Sequence, residues 1–258
     1  MKQQIRVTLI SNAGVLLEFN GRKILIDGLY HSGVPYFGNA PSEMKQKIVQ
    51  GAPPFDNIEL LLFTHDHSDH FEAVSTAEFM RNHKDACLVS TEDVIKKIPA
   101  DLRQTGGQRL IKLNPGLGCT ESIRVKGIDL EAISLKHTGR EFEDVKNLGF
   151  VITSDGKTIL HVGDAGQTKE NYGPLNLARK NIDLLLVPFP YISTLTGRQV
   201  IEKYIRPETI GVIHLPARES DGEGWREAAK KSYFKVKDSF AETFFLEEAG
   251  QSIDIAEL

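Results

Sequence analysis

Cysteine, tryptophan, long apolar runs and surplus positive charge are all scarce in this 258-residue chain. Its two cysteines, Cys87 and Cys119, are too few for a disulfide framework and lie in no Cys-x-x-Cys arrangement, which argues against a small stapled secreted fold. No apolar stretch approaches the roughly 18 residues that cross a bilayer, so no membrane span is expected. The start, MKQQIRVTLI, alternates like a strand and lacks the apolar block and small-residue cleavage site of a signal peptide. A cytoplasmic protein is the resulting expectation. Lys and Arg number 31 against 35 Asp and Glu, a formal net charge of −4, whereas phosphate neutralisation demands a basic surplus. The nearest basic run, Lys230, Lys231, Lys235 and Lys237, is flanked by acids and reads as a solvated face. No nucleic-acid partner is expected, and the composition leaves oligomeric state open. With 40% hydrophobic residues and a small net charge, disorder is excluded as well.

The pattern along the chain is that of an α/β protein. Segments 5–10, 14–19 and 22–27 are short and β-branched, with Asn-Ala-Gly and Asn-Gly turn signals between them. The apolar run 58–63 has strand length. Helices are expected at 42–50, 71–82, 91–98, 168–180, 198–205 and 223–232. Further strands are expected at 86–90, 109–113, 123–125, 128–135, 148–154, 157–162, 182–187 and 209–213. The tail reads as a hairpin of 243–246 with 251–255 around Glu-Ala-Gly. Largely apolar strands such as 58–63 and 182–187 imply sheets covered on both faces. With no repeat or linker, residues 1–258 read as a single domain. The Gly- and Pro-rich excursion 28–57 reads as a lid-like insertion.

One segment concentrates chemistry. His65-Asp66-His67-Ser68-Asp69-His70 follows directly on the apolar strand 58–63. Two histidines two apart in extended chain project to one side and can grip one cation, and the following turn brings Asp69 and His70 round to a second. Imidazole nitrogen with carboxylate oxygen suits zinc, iron or manganese rather than magnesium or calcium. A polar loop with no metal is the bland alternative, but it leaves this density of like groups without a reason.

His-x-His-x-Asp-His after a buried strand resembles the signature of the metallo-β-lactamase superfamily. The other motifs of that family have counterparts in the same order: Asp27 in Ile-Leu-Ile-Asp-Gly, His137 in Ser-Leu-Lys-His-Thr, Asp164 in Val-Gly-Asp-Ala-Gly and His214 in Val-Ile-His-Leu. The resemblance implies a four-layer αββα sandwich with metals at one edge of its two sheets. It also implies two divalent ions, zinc by expectation and manganese or iron as alternatives. His65, His67 and His137 would hold one ion, and Asp69, His70 and His214 the other, with Asp164 between them and Asp27 orienting ligands from behind. Asp66 is a further acid near this cluster. A metal-bridging hydroxide would then attack a carbonyl or phosphoryl centre, since binding lowers the pKa of water from ~15.7 to about 7. Asp69 and Asp164 are the catalytic carboxylates in that scheme, Asp69 as a proton relay.

The histidine at 67, rather than a glutamate, favours hydrolysis over the oxygen-reducing di-iron branch. The stretch leading into Pro188-Phe189-Pro190-Tyr191 is similar to the lactonase-like and phospholipase D-like branch, but that tetrapeptide departs from the branch's usual glycine-rich loop, so the pocket is expected to differ. His31, Tyr191 and Arg218 are candidate substrate contacts. His161 is expected to be packed, and His83 to lie on the surface. The expected function is metal-dependent hydrolysis of a small-molecule ester, lactone or phosphodiester. A metal-binding sensor without turnover and a nucleic-acid phosphodiesterase are the alternatives.

Overall fold

The computed structural model describes residues 4–105 and 107–255, which divide into two compact units. The first comprises the described residues of Met1–Leu113 and Glu247–Leu258, the second Asn114–Leu246. In chain order the first holds β1 (Ile5–Ser11), β2 (Gly14–Phe19), β3 (Arg22–Ile26), α1 (Ser42–Gln50), β4 (Leu60–Leu62), α2 (Ala73–Asn82), β5 (Cys87–Ser90), α3 (Glu92–Lys97), α4 (Ala100–Thr105) and β6 (Leu110–Lys112). The second holds β7 (Thr120–Val125), β8 (Ile128–Lys136), β9 (Lys146–Ser154), β10 (Lys157–His161), α5 (Lys169–Tyr172), β11 (Leu184–Pro188), α6 (Pro190–Ser193), α7 (Leu195–Val200), β12 (Thr209–Ile213), α8 (Trp225–Phe234) and β13 (Glu242–Phe245). The last strand, β14 (Ser252–Ile255), returns to the first unit.

Each unit is built on a mixed seven-stranded sheet, ordered β14-β1-β2-β3-β4-β5-β6 in the first and β13-β12-β11-β10-β9-β8-β7 in the second. The antiparallel part of each comes first in local logic. Asn20 and Gly21 take φ of 52° and 76°, the two positive values a tight hairpin requires, and join β2 to β3. Asp155 and Gly156, at 49° and 80°, do the same for β9 and β10. The parallel part needs crossovers. Helices α1, α2 and α3–α4 connect β3 through β6, while α5 to α7 and then α8 connect β10 through β13.

The helices are held by one face of each sheet. In the first unit Leu25, Leu61, Phe63 and Leu88 pack with Ile48 of α1, Phe79 and Met80 of α2 and Val94 of α3. The alternate residues Ile24, Ile26, Leu60 and Leu62 are equally buried, which is why these strands read as unbroken apolar runs. In the second unit Leu160, Val162, Leu185, Val187, Ile210 and Val212 pack with Tyr172, Tyr191, Ile192, Val200 and Ile205.

Four expectations are corrected. The excursion 28–57 is not a lid throughout: α1 and the following Phe55 and Ile58 belong to the core, and Leu29 bridges to Phe71. Its residues 33–35 are exposed, in a turn closed off by the paired hydrogen bonds of Asn39 with the backbone of Ser32. The helix expected at 168–180 shrinks to one turn, α5, because Pro174 follows it and Asn176 adopts φ of 52°. The tail is no hairpin. β13 pairs in parallel with β12, whereas β14 pairs antiparallel with β1, so the two strands serve different sheets. His83 is half-buried rather than simply a surface residue. Its ring stacks on Phe79 at 3.9 Å and its Nε2 donates to the Ile48 carbonyl, tying the end of α2 to α1.

Two measurements check this packing. Ile48→Ala should destabilise the protein by about 2–5 kcal/mol in urea unfolding, as for a core residue and unlike a lid. Burial lowers the pKa of His83, despite backbone hydrogen bonds that favour its charged form. The unfolded chain therefore binds this proton more readily, so the stability it contributes is present above about pH 6.5 and is lost as pH falls below it. His83→Phe, which keeps the stack, should flatten that acid-side loss in melting temperature against pH.

Candidate metal centre

The candidate residues sit in the loops that directly follow the carboxyl ends of strands in each unit. In the first unit Asp27 follows β3 and the loop after β4 carries His65 to His70. Asp27 is fully buried and adopts φ of 47°, a conformation costly for a residue with a Cβ. Its carboxylate collects three donors: the Thr64 N–H at 2.8 Å on Oδ1, and the Thr64 hydroxyl at 2.6 Å and His70 Nδ1–H at 2.8 Å on Oδ2. Because the Thr64 proton goes to Asp27, its Oγ1 accepts from His65 Nδ1 at 2.9 Å. One carboxylate thus orients both His65 and His70, and each presents Nε2 as its acceptor nitrogen. His67 Nδ1 lies 3.1 Å from His65 Nε2. Asp69 is held by Asn12, whose Nδ2 donates to both the backbone carbonyl and Oδ2 of Asp69 at 3.2 Å. Asp69 Oδ2 lies 3.6 Å from His70 Nε2.

The second unit assembles the remaining three. Asp164 Oδ2 lies 3.1 Å from His214 Nε2 and 3.7 Å from His137 Nε2, between the two rings. His137 Nδ1 donates to the Thr138 carbonyl, which can only accept, so here too Nε2 carries the lone pair. His214 ends β12 with φ of 56°. The supports are neutral amides. Fully buried Asn147 accepts the Asp164 N–H at 3.0 Å and donates to the Val162 carbonyl. Asn171 accepts from the Lys136 N–H and donates to the carbonyls of Lys136 and Gly166, pinning the His137 and Asp164 loops to each other. His161, buried as expected, accepts the Gly163 N–H. Asn12, Asn147 and Asn171 were not anticipated from the sequence. Nothing in their local context marks them, because their partners lie many residues away.

These side chains fit a cation on their own chemistry. The donor set is imidazole nitrogen and carboxylate oxygen. In His65, His70 and His137 the ring proton is directed backwards onto an oxygen, the arrangement that fixes the tautomer of a ligating histidine. Nε2 of His70, Nε2 of His137 and Oδ1 of Asp164 are buried, where accumulated lone pairs are costly without a neutralising charge.

The other candidates fall elsewhere. Asp66 turns away to an ion pair with Lys97 at 2.7 Å, so it is not part of the cluster. Tyr191 is corrected as a substrate contact. It is completely buried, its hydroxyl donates to the Ala165 carbonyl at 2.9 Å, and Tyr172 bonds to it in turn. Burial raises the pKa of both phenols, so they serve as neutral props beneath the Asp164 loop. His31 is exposed on the rim of a cavity of about 660 Å³ lined also by Tyr30, Lys45 and Arg81. Arg218 lies in the short turn Arg218–Ser220, exposed, four residues after His214.

Comparison with known proteins agrees with this geometry. The family described as the Beta-lactamase superfamily domain matches residues 22–227 and so spans both units. A metal-dependent hydrolase of Pelotomaculum thermopropionicum is 26% identical over 243 residues, 88% of this chain and 92% of that protein. The metallo hydrolase Igni18 of Ignicoccus hospitalis superposes with a TM-score of 0.65 at 18% identity, over 99% of this chain and 100% of that one. CmlA, a diiron β-hydroxylase of Streptomyces venezuelae, gives 0.63 at 13% identity, over 99% of this chain but 54% of that one. At such identities the structures establish the fold alone, and the fold is the α/β sandwich expected from the motif order. A family match across most of the chain, together with strand-end histidines and aspartates in the order that family uses, shows that this chain belongs to the metallo-β-lactamase superfamily.

Proposed function

We propose that the protein is a metal-dependent hydrolase of a small ester, lactone or phosphodiester. The observation that carries this reading is the backward commitment of Nδ1 in His65, His70 and His137, which turns Nε2 of each ring outward as a ligand atom. His65, His67 and His137 would form one ligand set and Asp69, His70 and His214 the other, with Asp164 common to both. Zinc is the proposed metal, two ions per chain. Bound there, the cations would supply an acidified water as nucleophile and a Lewis acid for the developing oxyanion.

The chain's own residues have separable tasks in this scheme. Asp27 holds His65, through Thr64, and His70 at fixed ring angles. Asn12 keeps Asp69 Oδ2 aimed, and Asp69 would accept the proton that the attacking water sheds. Asn147 and the Tyr172–Tyr191 pair hold the Asp164 turn rigid, so its carboxylate does not have to reorganise during the reaction. Histidine at 67, rather than the glutamate of the oxygen-reducing di-iron branch, supports hydrolysis over oxygen reduction.

The test is elemental analysis with activity on lactone, carboxylester and phosphodiester panels. Protein expressed with ample metal should carry two ions per chain, lose hydrolysis on chelation and regain it on adding zinc or manganese. Trace metal only would overturn the reading, and full metal with no turnover on any panel would favour a sensor. His65→Ala combined with His67→Ala should abolish hydrolysis while the circular dichroism spectrum is retained. Asp27→Asn keeps the shape but replaces an acceptor oxygen by a donor. It should weaken metal affinity about 10–100-fold in chelator competition.

A further inference from the structure

The second unit exposes aromatic surface where its candidate ligands lie. Register shows this for Phe189. β11 pairs with β12 through Pro188 and Ile213, and Phe189 and His214 are the residues that directly follow this last pair. Tyr191 and Ile192, which follow it, are wholly buried, whereas Phe189 stays half-buried at the edge of the core. Its ring meets that of Trp225 at 6.2 Å and a 41° tilt, and Trp225 is 39% exposed.

The backbone that carries Trp225 is held in place. Asp221 accepts the N–H groups of Trp225 at 2.7 Å and Arg226 at 3.1 Å, which caps the start of α8. Buried Arg226 then donates to the Pro216 carbonyl at 2.8 Å, two residues beyond His214. A second aromatic, Phe142, sets its ring against His137 at 5.0 Å and is 37% exposed. Rigid aromatics left in water beside reactive polar groups are what a pocket for an apolar ligand looks like.

We propose that Phe189 and Trp225 form the wall that receives the planar apolar part of the substrate, so the enzyme prefers scissile bonds carrying an aryl group over their methyl counterparts. This rests on the hydrolase reading for the reaction, but the wall itself is a binding surface that stands without turnover. Flat rings pair with aromatic side chains by offset or edge contact, and such a group would place its polar end toward Asp164 and His214.

Trp225 is the sole tryptophan of the chain, so its fluorescence reports on this wall directly. Metal-replete protein titrated with phenylacetate should show a saturable change in tryptophan emission that acetate does not produce. Phe189→Ala should weaken phenylacetate binding about tenfold, the scale of losing one apolar pocket contact, with metal content unchanged, and Phe189→Tyr should retain it. Should Phe189→Ala not fold, the wild-type titration and Phe189→Tyr still decide. Identical behaviour of phenylacetate and acetate in a protein that hydrolyses esters would overturn the wall and leave the hydrolase standing. A phenylacetate response in protein that hydrolyses nothing would uphold the wall and remove the hydrolase reading.

Discussion

Much of the first unit's chemistry hangs on the Asp27 carboxylate. A carboxylate with no exposed surface is tolerated only when its oxygens are met by donors, and Thr64 and His70 supply three. The same contacts set the rings of His65 and His70, so burial of one group and orientation of two others are a single event. The backbone shares the cost. Asp27 sits in the left-handed region, and a Cβ on Gly14 would come within 2.6 Å of its carbonyl, so the glycine opposite leaves room for that conformation.

The second unit solves the same problem without a buried charge behind its ligands. Asn147 and Asn171 offer donor and acceptor from one side chain, so they can clamp the backbone of two loops at once. Asp164 then stands as the acid between His137 and His214. The Tyr172–Tyr191 pair shows how far the support extends. Two phenols that burial keeps protonated transmit the packing of α5 and α6 to the Ala165 carbonyl, next to Asp164. Phe189, at the start of that same turn, stays half-buried at the edge of the same core, so one short segment both braces the Asp164 loop and leaves apolar surface partly open.

Residues with strong local signals were legible from the sequence. α1 falls on Ser42–Gln50 and β12 on Thr209–Ile213, because each is bounded by residues that start or stop its own period. The motif order from Asp27 to His214 likewise pointed to the family that matches the chain. Side chains whose role depends on a distant partner were not legible. Asn12 is one of many turn asparagines until Asp69 is folded against it. Tyr191 resembled a pocket residue by its position in the motif and proved to be a buried prop. The 28–57 excursion looked like a lid because its glycines and prolines are visible locally, while the partners of Ile48 and Phe55 are not.

The C-terminal strands mark the boundary between the two kinds of information. The sequence by itself pointed to extended chain at 243–246 and 251–255, within a residue of the strands found, since a short apolar run is a local property. Only the tertiary structure decided that the first extends β12 and the second caps β1. A strand's hydrogen bonds are satisfied equally well by any free edge of matching shape, so the choice of edge is made by what else each sheet must bury. The same division holds for the chemistry: residue types and their order pointed to candidate metal ligands, but which nitrogen each of His65, His70 and His137 presents was decided by the carboxylate, hydroxyl or carbonyl that folding placed behind it.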